Sequence, residues 1–326
     1  MQMQNSLKKS LCLMGIVLLI AGIASPQASG KDFPSKTITM IVPHGVGGGG
    51  DVAARILALG MQKELGATVI IKNVTGGGNI TGLSALWKSK PDGYTIGMTY
   101  AQMACTTHIF EKVIYDPKKF SIIGRFVRSK YIMGVPKNSP FRSINDFKKS
   151  EKPIRVGVSH ITSNSAIVLY ALGKEMGFPV TFVSGYRGAA ASIVGTFKGE
   201  NDVVTYGTAV TPYLKSGELI PLLFFETEHS KYYPDVPCLT DFGLPEYLAL
   251  LGSLDYVIWG PPGIAEDKLN ILEKAMLKST QENIERFENM GAYLNPLPGK
   301  EAKKVVSSVY DDFLRYKDIT KGLYKK

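Results

Sequence analysis

Two glycine-rich loops in the first third of the chain constrain its fold most strongly. They span residues 45–50 and 76–78, and they follow the short apolar segments 37–42 and 68–72. These segments are rich in the β-branched residues that are typical of buried strands. Apolar residues at helical spacing come after each loop. A repeated order of strand, loop and helix predicts a parallel sheet covered by helices, and therefore an α/β fold.

The same order of elements returns in the second half of the chain. Strands are predicted at 154–158, 180–183, 202–205 and 220–225, and a helical C-terminal part begins near residue 266. A length of 326 residues favours about two domains. We therefore expect two lobes of similar design.

The first thirty residues have the features of an export signal. Lys8 and Lys9 precede the apolar run 11–24, and small residues offer a cleavage point before Lys31. An uncleaved anchor is the alternative, but the run is shorter than the roughly 20 residues of a comfortable membrane span. We expect residues 1–30 to be a cleaved signal peptide and the mature chain to be periplasmic.

The chain is basic, with a formal net charge of +10 that falls to +8 without the two lysines of the predicted signal peptide. Such a charge favours anionic partners through long-range attraction. The basic residues are scattered and match no nucleic-acid-binding signature, so no nucleic acid partner is expected.

Cys105 and Cys238 lack the CxxC spacing of zinc and dithiol sites, so no metal site is predicted. Two separately buried thiols are favoured over a disulfide.

The glycine loops are suited to an anionic ligand. The N-terminus of a helix has unpaired N–H groups and a partial positive charge, and glycine lets the backbone approach a ligand closely. Tight turns without a ligand are the alternative, but two such loops at one sheet edge favour a carboxylate or phosphate site. Gly45, Gly47 and Gly50 also match a dinucleotide-binding pattern. However, Lys72 and Asn73 stand where that fold needs an acidic residue, so no cofactor is predicted.

Nucleophilic or metal-assisted catalysis has little support in the sequence. The four histidines are His44, His108, His160 and His229, and no HExxH or GxSxG motif is present. We predict no catalytic residues and a protein that is not an enzyme.

A series of short motifs, in a fixed order along the chain, resembles a known family. The series comprises Phe33-Pro34-Ser35-Lys36, Ile41-Val42-Pro43, Gly47-Gly48-Gly49 with Asp51, Asn73 with Gly76-Gly77-Gly78, Pro91-Asp92-Gly93-Tyr94-Thr95, Tyr115-Asp116-Pro117, Tyr186-Arg187-Gly188, Pro234-Asp235-Val236-Pro237, Gly243-Leu244-Pro245 and Trp259-Gly260 before Pro261-Pro262-Gly263. In order and spacing it resembles the tripartite tricarboxylate transporter solute receptors, the TctC or Bug proteins, over essentially the whole mature chain.

This resemblance implies a two-lobed, type II-like periplasmic binding protein fold, each lobe a mostly parallel sheet flanked by helices. One lobe would comprise residues 31–126 and 253–326 and the other residues 127–252, with the ligand cleft between them. The implied function is to capture a small organic carboxylate, either a di- or tricarboxylate or an aromatic acid. The implied partners are the membrane permease subunits of the transporter, and the chain is expected to be a monomer. A sensory receptor for a signalling partner and an exported enzyme that uses the same cleft are the alternatives.

The resemblance also implies which residues bind the ligand. The predicted set is His44, Gly45, Val46, Gly47, Gly48 and Gly49 in the first loop; Thr75, Gly76, Gly77, Gly78 and Asn79 in the second; Tyr100, Ala101 and Gln102 after a third strand predicted at 94–98; and His160, Thr162, Ser163, Asn164, Tyr186, Arg187, Gly188 and Tyr206 from the other lobe.

Three further expectations concern individual side chains. His44 and His160 depart from the family pattern, and we expect that one or both donate to the ligand with pH sensitivity near neutrality; histidines bonded to the backbone are the alternative. Asp51 is expected to be the N-cap of a helix, with its charge already used by N–H donors. Tyr206 or Thr205 stands where some members carry an aspartate for an amino group, which disfavours an amino acid ligand.

Overall fold

The computed structural model of the protein describes residues 33–319 and 321–323. The predicted signal peptide, residues 1–30, lies outside these ranges. No helix within the described ranges has both the length and the hydropathy that a membrane span requires.

Strands of the described residues alternate with helices along the chain, as the loop pattern predicts. The strands are β1 (Ile38–Val42), β2 (Val69–Asn73), β3 (Thr95–Tyr100), β4 (Ser121–Lys130), β5 (Ile132–Pro136), β6 (Ile154–Val158), β7 (Val180–Ser184), β8 (Val204–Tyr206), β9 (Leu219–Phe224), β10 (Ser253–Gly260) and β11 (Tyr293–Pro298). The α-helices are α1 (Gly49–Leu65), α2 (Ile80–Trp87), α3 (Ala101–Phe110), α4 (Asn164–Met176), α5 (Ala189–Phe197), α6 (Thr211–Lys215), α7 (Tyr247–Leu251), α8 (Glu266–Glu282), α9 (Ile284–Asn289) and α10 (Gly299–Arg315).

The largest sheet has six strands in the order β11-β4-β10-β3-β1-β2. β1 pairs in parallel with β2 and with β3, whereas β10 runs antiparallel to β3 and β4, and β11 runs antiparallel to β4. All eight residues of β10 are buried, as expected for a central strand that is covered on both faces.

Two smaller sheets are formed by the chain between β4 and β10. β5 lies between β8 and β9 and is antiparallel to both, and β6 pairs in parallel with β7. Apolar residues of the three-stranded sheet, which include Ile132, Val204 and Phe224, pack into a separate core cluster.

The α/β fold class predicted from the sequence is confirmed, but the sheets are mixed rather than mostly parallel. All antiparallel pairs except that of β3 with β10 involve β4, β5 or β11, which were not predicted from the sequence. The chain leaves the six-stranded sheet after Lys130 and re-enters it at Ser253, and β4 and β10 pair with each other in opposite directions. The division into lobes at 126/127 and 252/253 stays a prediction, and these positions fall within β4 and immediately before β10.

A buried polar network joins β4 and β10 to the first turn of α3. The Asp255 carboxylate accepts hydrogen bonds from Arg125 Nη1 (2.6 Å) and from Gln102 Nε2 (2.8 Å). The Gln102 Oε1 atom in turn accepts from the Asp255 N–H (2.9 Å). The side chains of Arg125 and Asp255 are 5% and 2% exposed, so the ion pair is screened little by water.

Candidate functional site

The candidate site is a cleft at the edge of the six-stranded sheet where β1, β2 and β3 end. The strands are parallel and in register, with Val42 opposite Asn73, so the loops that follow them emerge side by side. We call residues 43–48 the first loop and residues 74–79 the second loop. Tyr100, the last residue of β3, lies at the same edge. Ligands of open α/β sheets bind at such carboxyl ends.

The opposite wall of the cleft comes from the loops after β6, β7 and β8. The enclosed volume is about 310 Å³, which suits a small organic molecule. Residues of the predicted set that line it are His44, Gly45, Gly48, Gly49, Thr75, Gly76, Gly77, Gly78, Asn79, Tyr100, Ser163, Asn164, Tyr186, Arg187, Gly188 and Tyr206. Lining residues that sequence reasoning missed are Pro43, Gly50, Met103, Tyr131, Ser159, Ser165, Gly185, Ala189, Gly207, Thr208, Ala209, Leu254 and Tyr256.

Four helices present their N-termini to the cleft. The residues that precede their first turns, all of which line it, are Gly48 before α1, Tyr100 before α3, Ser163 before α4 and Gly188 before α5. Each N-terminus contributes a partial positive charge and unpaired N–H groups. Among the described residues that line the cleft, none is acidic, and the one cationic side chain, Arg187, is exposed. The cleft is therefore attractive to anions mainly because of its backbone.

The first loop is held in shape by Asp51, which lies in the first turn of α1. Its carboxylate accepts from the Gly47 N–H (2.9 Å), from Asn73 Nδ2 (2.8 Å) and from Arg55 Nε (3.0 Å). Burial acts to raise the pKa of Asp51, but the hydrogen bonds from Arg55, Asn73 and Gly47 outweigh it and hold the pKa below its ordinary value. The prediction that Asp51 is the N-cap is wrong, because Gly48 occupies that position. Its charge is nevertheless used by N–H donors, as predicted.

The second loop has a backbone that L-residues rarely adopt. Four successive residues have positive φ angles: 132° at Gly76, 54° at Gly77, 62° at Gly78 and 86° at Asn79. The first three tolerate this because they lack a Cβ atom. Asn79 is fixed by its side chain, since Nδ2 donates to Thr99 Oγ1 (3.2 Å). Within the described chain, the N–H groups of Gly77 and Gly78 have no acceptor, so they remain available to a ligand.

His44 joins the first loop to the end of β3. Its Nε2 atom is hydrogen-bonded to Thr99 Oγ1 (3.1 Å), and its ring lies 4.5 Å from the ring of Tyr100. Burial lowers the pKa of His44 to about 4, although the Asp51 carboxylate acts to raise it. The expectation that His44 titrates near neutrality is therefore wrong, because desolvation of the imidazolium outweighs the attraction of one carboxylate.

Six residues of the predicted set lie outside the cleft lining. His160 is hydrogen-bonded to Thr162 through Nδ1 and Oγ1 (2.7 Å), beside the second loop. Gln102 belongs to the network of Asp255 described above, and the remaining three are Val46, which is 71% exposed, Gly47 and Ala101, which is fully buried. The Gly47 N–H is already bonded to Asp51. These residues follow the strands expected from the sequence, but the rotation of the helices and the curvature of the loops place them outside the cleft lining.

Tyrosine rings form much of the inner wall. Tyr100 and Tyr256 pack edge to face at 4.6 Å, and Tyr131 and Tyr206 do so at 6.4 Å. The hydroxyl of Tyr206 donates to the Gly157 carbonyl (3.1 Å), and that of Tyr256 is hydrogen-bonded to Thr208 (2.9 Å). Burial raises the pKa of all four tyrosines, so they add no negative charge. The wall therefore presents neutral ring surfaces.

Direct backbone contacts cross the cleft. A Cβ atom at Gly45 would lie 2.3 Å from the Arg187 carbonyl oxygen, and one at Gly49 would lie 2.1 Å from Thr208 Oγ1. At Gly45 the close atom belongs to the backbone, so any other residue there would need a backbone shift, whereas at Gly49 the close atom is a side-chain hydroxyl. Gly45 is therefore needed for the approach of the two walls as well as for the approach to a ligand.

On the second wall, Ser163 is the N-cap of α4 and accepts from the Ala166 N–H (3.4 Å). Asn164 is buried, and its Nδ2 atom donates to the Leu251 carbonyl (2.6 Å). The Tyr186 hydroxyl is bonded to Glu200 outside the lining, so only its ring contributes to the wall.

A small-molecule receptor is the class of protein that this fold and cleft define, and comparison with known proteins gives its family. Residues 53–296 match the model of the family described as "Tripartite tricarboxylate transporter family receptor", TctC. The chain therefore belongs to the TctC family of solute-binding receptors.

Individual relatives are distant in sequence but alike in fold. The protein BugT of Bordetella pertussis is 26% identical over 300 residues, which cover 88% of this chain and 90% of BugT. The structure of periplasmic binding protein BugD has a TM-score of 0.81 at 22% identity, with 90% of this chain and 100% of that chain covered. MatC from Rhodopseudomonas palustris with bound malate has a TM-score of 0.79 at 22% identity, with 89% and 100% covered.

Proposed function

We propose that this protein is a periplasmic receptor that captures a small organic carboxylate in the cleft and delivers it to the membrane subunits of a tripartite tricarboxylate-type transporter. The observation that carries the proposal is the convergence of four helix N-termini on one cleft. An anion in this position interacts favourably with each partial positive charge. The match to the receptor family supports the role in transport.

The ligand's carboxylate is proposed to lie against the second loop. The N–H groups of Gly77 and Gly78 are available there, and successive N–H groups in a turn form an anion-binding concavity. Neutral His44 also lines the cleft, and its Nε2 atom is held by the buried hydroxyl of Thr99. No buried cation is needed, because the charge of the ligand is balanced by backbone dipoles.

The body of the ligand is proposed to be compact and at least partly apolar. The neutral rings of Tyr100, Tyr131, Tyr206 and Tyr256 line the cleft together with Leu254. Aromatic pairs in edge-to-face geometry contribute about 0.5–1.5 kcal/mol beyond the burial of their area. Of the two ligand types expected from the sequence, an aromatic acid fits this wall better than a tricarboxylate.

The proposal is tested by isothermal titration of the mature chain with benzoate, cyclohexanecarboxylate, adipate, malate and citrate. We expect one acid to bind at a ratio of one per chain and to raise the melting temperature through mass action. Binding of none of these acids, or binding that Gly78→Ala leaves unchanged, would contradict a carboxylate site at the second loop. Gly177→Ala is the matched control, because Gly177 also has a positive φ angle (77°) but ends α4 away from the cleft lining.

The same samples also show whether the protein acts as a receptor or as an enzyme. After long incubation, chromatography of the acid released by denaturation should return it unchanged. A product in place of the added acid would instead support the exported enzyme.

A further inference from the structure

A cluster of metal-ligating side chains lies in the second half of the chain, outside the cleft lining. It consists of His229, Cys238 and Asp241, and one donor atom from each lies within 4.8 Å of the other two. The side chains of His229 and Asp241 are 51% and 39% exposed, whereas Cys238 is buried. The cluster therefore has an open side and a buried sulfur at its base.

The backbone holds the three residues together without help from a ligand. An isolated parallel bridge pairs Cys238 with Phe224 at the end of β9. A second bridge, between Ser230 and Tyr233, closes the turn that follows His229. The Asp241 Oδ2 atom accepts from the Cys238 N–H (2.8 Å), so carboxylate and thiol belong to one capped turn.

The orientation of the His229 ring is the observation that points to a cation. Its Nδ1 atom lies 3.0 Å from the Pro234 carbonyl oxygen, which can only accept, so Nδ1 carries the proton. In neutral imidazole the lone pair is then on Nε2, which lies 3.3 Å from Asp241 Oδ2. A backbone carbonyl bonded to the far nitrogen is the usual way in which a metal-ligating histidine is oriented.

The spacing of the two exposed donors fits a tetrahedral metal. Zinc bonds of about 2.0–2.2 Å to nitrogen and oxygen separate two ligand atoms by about 3.3–3.5 Å. The thiol has neutral partners, Thr240 Oγ1 at 3.1 Å, the Thr227 carbonyl at 3.8 Å and the Asp241 backbone N–H, and it can lose its proton when a metal binds.

We propose that His229, Cys238 and Asp241 form a binding site for a divalent transition metal, with Zn²⁺ as the best match. Nitrogen, thiolate and carboxylate ligands suit zinc, whereas calcium and magnesium prefer oxygen alone. The three protein ligands leave a fourth position for water on the open side. The competing arrangement is a plain ion pair between protonated His229 and Asp241, which needs no metal.

The test uses the full mature chain, freed of metal with a chelator that is then removed. Zn²⁺ is titrated in competition with a chromophoric chelator, and Co²⁺ is added separately to detect thiolate-to-cobalt charge-transfer absorption. We expect one metal per chain and a charge-transfer band. Absence of saturable zinc binding at pH 7 would overturn the proposal in favour of the ion pair.

Two variants and one control assign the ligands. His229→Gln and Cys238→Ser should each weaken zinc binding at least about tenfold, and Cys238→Ser should abolish the cobalt band. Cys105→Ser is the matched control, because Cys105 is also buried but lies in a different core cluster, and it should bind zinc normally. Equal affinity in all four proteins would rule the site out.

A measurement on the unmodified chain tests thiolate coordination even if the Cys238→Ser variant does not fold. Zinc should slow the alkylation of Cys238, as followed by mass spectrometry of its peptide, and leave the rate at Cys105 unchanged. Equal rates at Cys238 with and without zinc would contradict thiolate coordination.

Discussion

His44 is the cleft side chain whose protonation depends most on its surroundings. The ring is hydrogen-bonded to Thr99 and packed against Tyr100, and burial holds its pKa near 4. The neutral ring is therefore the state that meets a ligand at physiological pH. An imidazolium in this cleft would form only in acid.

We predict that His44 makes the fold less stable in acid but leaves ligand affinity unchanged between pH 5 and 8. Because its folded pKa lies below the ordinary value of 6.5, the unfolded chain takes up a proton first as the pH falls. The free energy of unfolding should therefore drop between pH 6.5 and 4, by about 1–3 kcal/mol more than in His44→Gln. Urea unfolding at several pH values measures this difference, and parallel curves for the two proteins would contradict it.

Sequence reasoning found the cleft loops but not all of the side chains that complete the wall. The loops at 45–50 and 76–78 were identifiable because glycine composition and strand periodicity are local signals. Tyr131 and Tyr256 were not, because Tyr131 follows the end of β4 and Tyr256 belongs to β10, and these strands meet only through pairing across more than a hundred residues. Gln102 follows β3 as predicted, yet the rotation of α3 directs it to Asp255.

At the level of elements, the first loop and α1 act as one unit because Asp51 bonds both. The carboxylate ties the loop at Gly47, the helix at Arg55 and the end of β2 at Asn73. The sequence predicted a negative charge satisfied by N–H donors here. It could not show that glycine rather than Asp51 precedes the helix, since both residue types are common at N-caps.

Replacing Asp51 with Asn should destabilise the protein by about 1–3 kcal/mol, because one carboxylate oxygen becomes an NH₂ group that faces other donors. Chemical denaturation measures the change. Asp267→Asn is the matched control: Asp267 also lies in the first turn of a 17-residue helix, but it is exposed and should have little effect. A similar loss of stability in both variants would show that Asp51 acts only through the helix dipole.

At the level of the whole molecule, the contacts between Gly45 and Arg187 and between Gly49 and Thr208 bring the two walls together. Glycine at these positions was attributed, from the sequence, to the approach of a ligand. The long-range contact could not be predicted, because its two sides lie more than 140 residues apart in the chain.

Gly45→Ala should hold the walls apart and weaken ligand binding at least about tenfold. The added methyl group would overlap the Arg187 carbonyl, so closure around a ligand would require a backbone shift. Small-angle scattering with saturating ligand should show a smaller contraction than in the unmodified chain. Val46→Ala, one residue away and highly exposed, should behave like the unmodified chain; equal contraction in both variants would contradict the prediction.

The strand order also bears on how the chain acquires its structure. β10 separates β3 from β4 in the six-stranded sheet, yet more than 120 residues intervene between the end of β4 and its start. During synthesis, β3 and β4 therefore lack the strand that lies between them until nearly four-fifths of the chain has been made. Contacts of such long range slow folding, so the chain reaches its native sheet late. A polypeptide that folds slowly is well suited to be threaded across a membrane before it folds.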